Sequence, residues 1–309
     1  MPREGGGVQE IDLTAADLLN LLIAALLLAG VYAAMSVGMT IVYGVMKIVN
    51  LAHAGFLMLG AYFVYELYNR FAIDPLLGVL LAFPAFFIVG MGIHRVLIRR
   101  LPTSDQPTLA SLMLLFGLWL VLQNLGYLVW GNADRSILTP RTLSVMNIGP
   151  ITFPTVRLVV CGTAVASLAI LEIVLRKTWF GRAVRALMQN RDAGRIAGVN
   201  VERTAQVAFG VGIAFAGAAG GLLAMLYSFS PDFGGSFLLR AFVIIVLGGL
   251  ESFAGVAAGA LILALAETFS ILALPASYQP AIAFSLLVLA LLVLPDGIAG
   301  LWIKRRRLA

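Results

Sequence analysis

Runs of about twenty apolar residues, repeated from one end of the chain to the other, constrain this sequence more than any other feature. A helix of about twenty residues crosses about 30 Å of hydrocarbon. Such runs cover Ala16 to Tyr43, Val45 to Tyr68, Leu76 to Leu97, Thr108 to Trp130, Val156 to Leu175, Ala205 to Phe229, Phe253 to Leu274 and Ala281 to Trp302. A shorter apolar piece, Phe237 to Leu250, ends in Gly248 and Gly249. Soluble domains carry about 25% charged residues, whereas the 309 residues here are 12% charged and 61% apolar. That is too little polar surface for a chain dissolved in water. Lipid requires backbone N–H and C=O groups to pair within each segment. The sequence therefore predicts an all-α, polytopic transmembrane helical bundle with eight full spans plus one short segment, built as a single transmembrane domain over residues 1–309.

Arginine and lysine set the expected orientation, because short cytoplasmic loops are enriched in them. One set of loops holds Arg95, Arg99 and Arg100, then Arg176, Lys177, Arg182, Arg185, Arg191 and Arg195, then Lys304 to Arg307. The opposite set holds Arg70, Arg135, Arg141, Arg157 and Arg240. The first set is expected in the cytoplasm, with the N-terminus outside and the C-terminus inside. Odd parity follows, so Phe237 to Leu250 should cross as a ninth pass. The first twelve residues lack the basic region and cleavage site of a signal peptide. The net charge of +6 sits at membrane edges, where it meets anionic headgroups rather than nucleic acid.

Several chemistries are missing. Two histidines, His53 and His94, and one cysteine, Cys161, cannot close a zinc site. Neither a GxSxG elbow nor a GxxxxGK[ST] phosphate loop occurs, and the latter is the usual cradle for ATP phosphates. No enzymatic activity and no cofactor of its own are expected. If ATP energises this chain, another subunit hydrolyses it. Cys161, within an apolar run, reads as a small buried side chain. Glycines four apart, Gly217 with Gly221 and Gly255 with Gly259, predict close helix packing.

Two segments carry more information. The first is Asn50-Leu-Ala-His53, a polar interruption in the second apolar run. Polar groups inside lipid are costly and face a cavity or a partner helix. Asn50 and His53 are three apart, which on a helix places them on one face. They either lock helices together or line a substrate path. The second lies in the basic loop at about residues 176–204. From Phe180 to Asn200 it reads as an amphipathic helix with Val184, Leu187, Met188, Ile196 and Val199 on its apolar side. A helix stop follows at Gly198-Val199-Asn200. An interfacial helix lying on lipid is the plain interpretation.

Within that loop, Asp192-Ala193-Gly194 followed by Gly198 resembles a degenerate form of the EAA-x-x-x-G loop of ABC importer permeases. The wider chain resembles the LivH/LivM branched-chain amino acid permease family, closer by length to the LivH branch. The features that carry the likeness are Tyr43-Gly44, Val49-Asn50, Ala52-His53, Met58 to Tyr62, Arg185-Ala186, Gln189-Asn190-Arg191 and Val246 to Ser252. Leu51 and Ala54 depart from the pattern. The resemblance implies a permease subunit of an ATP-driven importer in the inner membrane. Its implied partners are a second LivM-like permease, two cytoplasmic ATPase subunits and a periplasmic solute-binding protein. It implies that the loop residues Arg185, Asn190, Arg191, Asp192, Ala193 and Gly198 couple to the ATPase. Relatives of this architecture also carry urea or short amides. The competing readings are an ion-coupled secondary transporter, with Glu172, Glu251 or Glu267 as candidate charges near span ends, and a non-transporting scaffold.

Overall fold

The computed structural model describes residues 14–101, 107–149, 151–295 and 297–300. Helix α1 (Ala15–Met46) opens on a capping box. Thr14 Oγ1 accepts from Asp17 N, and the Asp17 carboxylate accepts from Thr14 N. First-turn N–H groups are thus occupied before the apolar stretch begins. Helices α2 (His53–Phe71), α3 (Pro75–Val96) and α4 (Pro107–Trp130) follow. The polar stretch after α4 holds a single turn, α5 (Pro140–Leu143), and a hairpin of β1 (Val145–Ile148) with β2 (Ile151–Pro154). The hairpin is antiparallel, with Val145 opposite Pro154. The rest is helical: α6 (Thr155–Lys177), α7 (Trp179–Gln189), α8 (Arg191–Ile196), α9 (Val201–Ala224), α10 (Phe233–Gly248), α11 (Phe253–Ser270) and α12 (Gln279–Val293).

Helix α9 is the axis of the bundle and is almost wholly buried. Its glycines bring neighbouring backbones into contact. A Cβ on Gly38 of α1 would lie 2.5 Å from Gly212 O, and a Cβ on Gly220 would overlap Leu57 O of α2. Glycine weakens a helix in isolation by about 1 kcal/mol. Here it permits the backbone approach that holds helices together in lipid, where no hydrophobic force acts between them. Helices α10 and α11 pack the same way through Gly248, Gly255 and Gly259. The outer faces of α3, α4, α6 and α12 expose Leu80, Ile88, Leu128, Ile170 and Leu292, an apolar surface suited to lipid. Cys161 is half-buried rather than fully buried, with Sγ against Gly30.

Side-chain contacts sort the connections into two ends. At one end, Gly44 abuts Met188, Arg99 pairs with Glu202, Lys47 pairs with Glu251, and Gly297 abuts Gly249. At the other, Tyr68 Oη donates to Leu138 O, Trp130 Nε1 donates to Glu66 Oε1, Thr152 N donates to Asn20 Oδ1, and Arg135 bridges Phe229. Among the described residues the chain passes between these ends nine times, by α1, α2, α3, α4, α6, α9, α10, α11 and α12. Seven helices among the described residues are long and apolar enough to span a membrane, one fewer than expected. The difference lies in α2. The second apolar run does not form one helix from Val45. Instead α1 continues to Met46, residues 47–52 turn back without helix, and α2 starts at His53.

That start is deep inside the bundle. His53 Nε2 lies 3.0 Å from Met35 O, and Met35 sits eleven residues before the end of α1, or about 16 Å at 1.5 Å per residue. Helix α10 also begins inside. A Cβ on Gly234, its second residue, would overlap Ala54 O, in the second residue of α2. The two helices start side by side and diverge to opposite ends.

Candidate functional site

Asn50 and His53 are both completely buried. They do not share a helix face, because Asn50 belongs to the non-helical return and His53 is the first residue of α2. A turn links them, with His53 N donating to Asn50 O. The His53 ring gives Nε2–H to Met35 O, which leaves Nδ1 without a partner. Both polar atoms of the Asn50 amide are also unpartnered. Buried amides nearly always find a hydrogen bond, and an unsatisfied one costs about 1–3 kcal/mol. The Asn50 amide thus lies buried and without a partner just before the inner start of α2.

The basic loop forms two helices rather than one. Thr178 Oγ1 accepts from Gly181 N and caps α7. Val184 and Leu187 are buried beneath it. The helix breaks at Asn190, whose side chain accepts from Asp192 N and Ala193 N to cap α8. Gly198, at φ +84°, ends the segment in a conformation that glycine takes without cost. Arg185 bonds within the chain, its Nη1 donating to Leu175 O at the end of α6. Arg191 and Arg195 line an open depression of about 750 Å³, together with Lys47, Arg99 and Glu202. Asp192 and Ala193 are exposed. Ile196, on the apolar side of the amphipathic pattern, is 88% exposed. The α7–α8 pair thus presents a bare apolar residue among arginines at one end of the bundle. Residues Lys304 to Arg307 and the first twelve residues lie outside the described residues.

A third constellation escaped the sequence. Arg240 is not in a loop but inside α10, whereas Glu267 sits in the last turn of α11, near a span end as expected; both are buried. Arg240 Nε donates to Glu267 Oε1 at 2.8 Å, and Arg240 Nη1 donates to Ser236 O at 3.2 Å. Tyr32 Oη on α1 donates to Glu267 Oε2 at 2.5 Å. Three helices meet in one charge-neutral network. Its partners lie 27 and 235 residues apart, so no local spacing announces it. The usable signal is a pair of opposite charges in adjacent apolar segments. The other two acids noted in the sequence pair in more exposed positions, Glu172 with Arg176 near the end of α6 and Glu251 with Lys47 between α10 and α11.

Known proteins fit this architecture over nearly the whole chain. The family described as branched-chain amino acid transport system, permease component, matches residues 21–294. The high-affinity branched-chain amino acid permease LivH of Salmonella typhimurium is 31% identical over 287 residues, covering 88% of this chain and 92% of the relative. The permease BraD of Pseudomonas aeruginosa is 31% identical over 297 residues, covering 91% and 95%. The xylose permease XylH of Haemophilus influenzae is 40% identical over 136 residues, covering 40% and 36%. No solved structure matches. A bundle of membrane-length helices, a basic two-helix projection at one end and this whole-length likeness lead to one conclusion: the chain is a multi-pass membrane permease and belongs to the branched-chain amino acid transport system permease family.

Proposed function

We propose that this chain forms half of the translocation pore of an ATP-driven importer for branched-chain or related amino acids in the inner membrane. The observation that carries this reading is the match to permeases of that transport class over nine-tenths of the chain. A second, LivM-like permease would complete the pore across one of the exposed apolar faces. One of two cytoplasmic ATPase subunits would dock on α7 and α8, with Ile196 as the apolar anchor and Arg191 and Arg195 around it, and the other on the second permease. Helix-in-groove docking uses such an anchor on a short helix. A solute-binding protein would deliver cargo at the opposite end. The N-terminus then lies outside and the C-terminus in the cytoplasm. Asn50, with its free amide at membrane depth, is assigned to the path together with His53. ATP-driven closure of the ATPase pair would move α7 and α8 and open the path alternately to the two sides.

The rival is an ion-coupled secondary transporter, which needs a charge free to bind its coupling ion. Glu267 is the buried carboxylate for that role, but Arg240 and Tyr32 already occupy both of its oxygens. Urea or a short amide is the alternative cargo within the ATP-driven scheme. Reconstitution with the two ATPase subunits, the second permease and the binding protein tests the proposal. ATP-dependent uptake of leucine, absent when ATP is withheld, is the expected result. Uptake by this chain alone, driven by an ion gradient, defeats it.

A further inference from the structure

The Tyr32–Glu267–Arg240 network is more than a strut between helices, because it borders a cavity. A space of about 320 Å³ lies between α1, α10, the return at residues 227–232 and the start of α12. It falls within the range of about 300–1,000 Å³ typical of small-molecule sites, and it opens toward the end opposite α7 and α8, where α12 begins. Arg240 lines it, as do Tyr227, Phe233, Ser236 and Phe237. Arg240 uses two of its three guanidinium nitrogens, Nε on Glu267 and Nη1 on Ser236 O. Its Nη2 donates to no group among the described residues. The guanidinium also stacks 5.1 Å from the Phe237 ring centre. Keeping a full ion pair inside a membrane protein is expensive, and a structural lock could be made from apolar groups of the same volume.

We infer that Arg240, held in place by Glu267 and Tyr32, receives the carboxylate of a small apolar amino acid as it passes through this cavity. Arginine suits this role because its planar fork can hold one carboxylate while keeping an edge free for another. Glu267 balances the guanidinium charge, so a zwitterionic amino acid, itself of zero net charge, enters without leaving an uncompensated ion in the apolar interior. Phe233 and Phe237 provide ring surface for an aliphatic side chain. The first turn of α10 borders the same space, and the positive end of its dipole favours the carboxylate further. Sharing of the guanidinium with Glu267 keeps the hold weak, as a passing contact requires. This assignment rests on the amino acid cargo proposed above.

The test uses the complete reconstituted importer and radiolabelled leucine. In R240M/E267M both charges are replaced by apolar groups, which spares the bundle an unpaired ion. If the pair only locks helices, this double variant recovers uptake to within twofold of wild type, and the inference is overturned. If Arg240 receives the cargo, the double variant assembles yet takes up leucine at least tenfold more slowly. R240K gives an independent arm, since it keeps the ion pair but loses the fork. A tenfold loss in an assembled complex supports the inference, and wild-type uptake rejects it. Loss of the complex in both variants would assign the pair a purely structural role. Failure of the wild-type importer to carry leucine would instead remove the cargo assignment itself, a result the variant comparison cannot mimic.

Discussion

Replacing Gly220 with alanine tests the claim that backbone contact along α9 holds the bundle together. On a helix surface the change should stabilise, by about 1 kcal/mol from propensity alone. At Gly220 the new methyl would overlap Leu57 O, a backbone atom of α2 that cannot swing aside. Overpacking of this kind costs about 1–3 kcal/mol, and because the obstacle is backbone the upper half of that range applies. The net expectation for G220A is a loss of about 1–2 kcal/mol, combining the two terms. Gly162 is the matched control. It lies within α6, and a Cβ there would meet nothing within 4 Å, so G162A should be neutral or gain up to about 1 kcal/mol. The same substitution thus changes sign between two helices of one protein. Reversible unfolding in a single detergent, with both variants measured beside wild type, reads the difference. A G220A protein as stable as G162A would refute backbone contact as the cohesive element, and with it the central role given to α9.

Asn50→Leu removes two unpartnered buried polar atoms, so it should raise stability by about 1–3 kcal/mol while leucine uptake falls; a loss of stability would mean that the amide locks helices instead. Tyr32→Phe deletes the hydroxyl that donates to Glu267 Oε2 and should cost about 1.5–3 kcal/mol, the value of a bond to a charged group, measured by the same unfolding assay. Ile196→Asp, at an exposed position, should leave stability within about 0.5 kcal/mol of wild type yet abolish co-purification of the ATPase; retained ATPase binding would move the docking surface elsewhere. Asn190→Ala removes the cap of α8 and should cost about 1 kcal/mol locally, visible as faster amide exchange at Asp192 and Ala193.

Much of the architecture is legible in the sequence because lipid imposes one rule on every segment. Length and apolarity alone mark most of the helices, and the polar interruption at Asn50 and His53 marks a real break. Depth is what the sequence hides. A run from Val45 to Tyr68 looks like one span, since two polar residues, Lys47 and Asn50, do not by themselves show that residues 47–52 leave the helix. Only the His53–Met35 contact shows that the chain re-enters the bundle before α2 begins. The amphipathic loop is visible as a pattern, but its period does not foretell that Asn190 caps a second helix and turns Ile196 outward. Arg240 reads as a loop charge because an arginine near the start of a short apolar piece looks like a boundary. Its neutralising partners come from distant segments, and tertiary contact alone brings them together.

The inner start of α2 also bears on how the protein is made. A helix that crosses lipid unaided can leave the insertion machinery as soon as it is synthesised. Helix α2 cannot, for its first turns have their partners in Gly217, Gly220 and Gly234, which are translated more than 150 residues later. Until α9 and α10 arrive, the return at residues 47–52 would expose unpaired peptide groups to lipid. The packing predicts that this segment docks fully only once α9 and α10 have been made. A chain truncated before α9 should therefore leave the start of α2 open to protease while α1 is already protected.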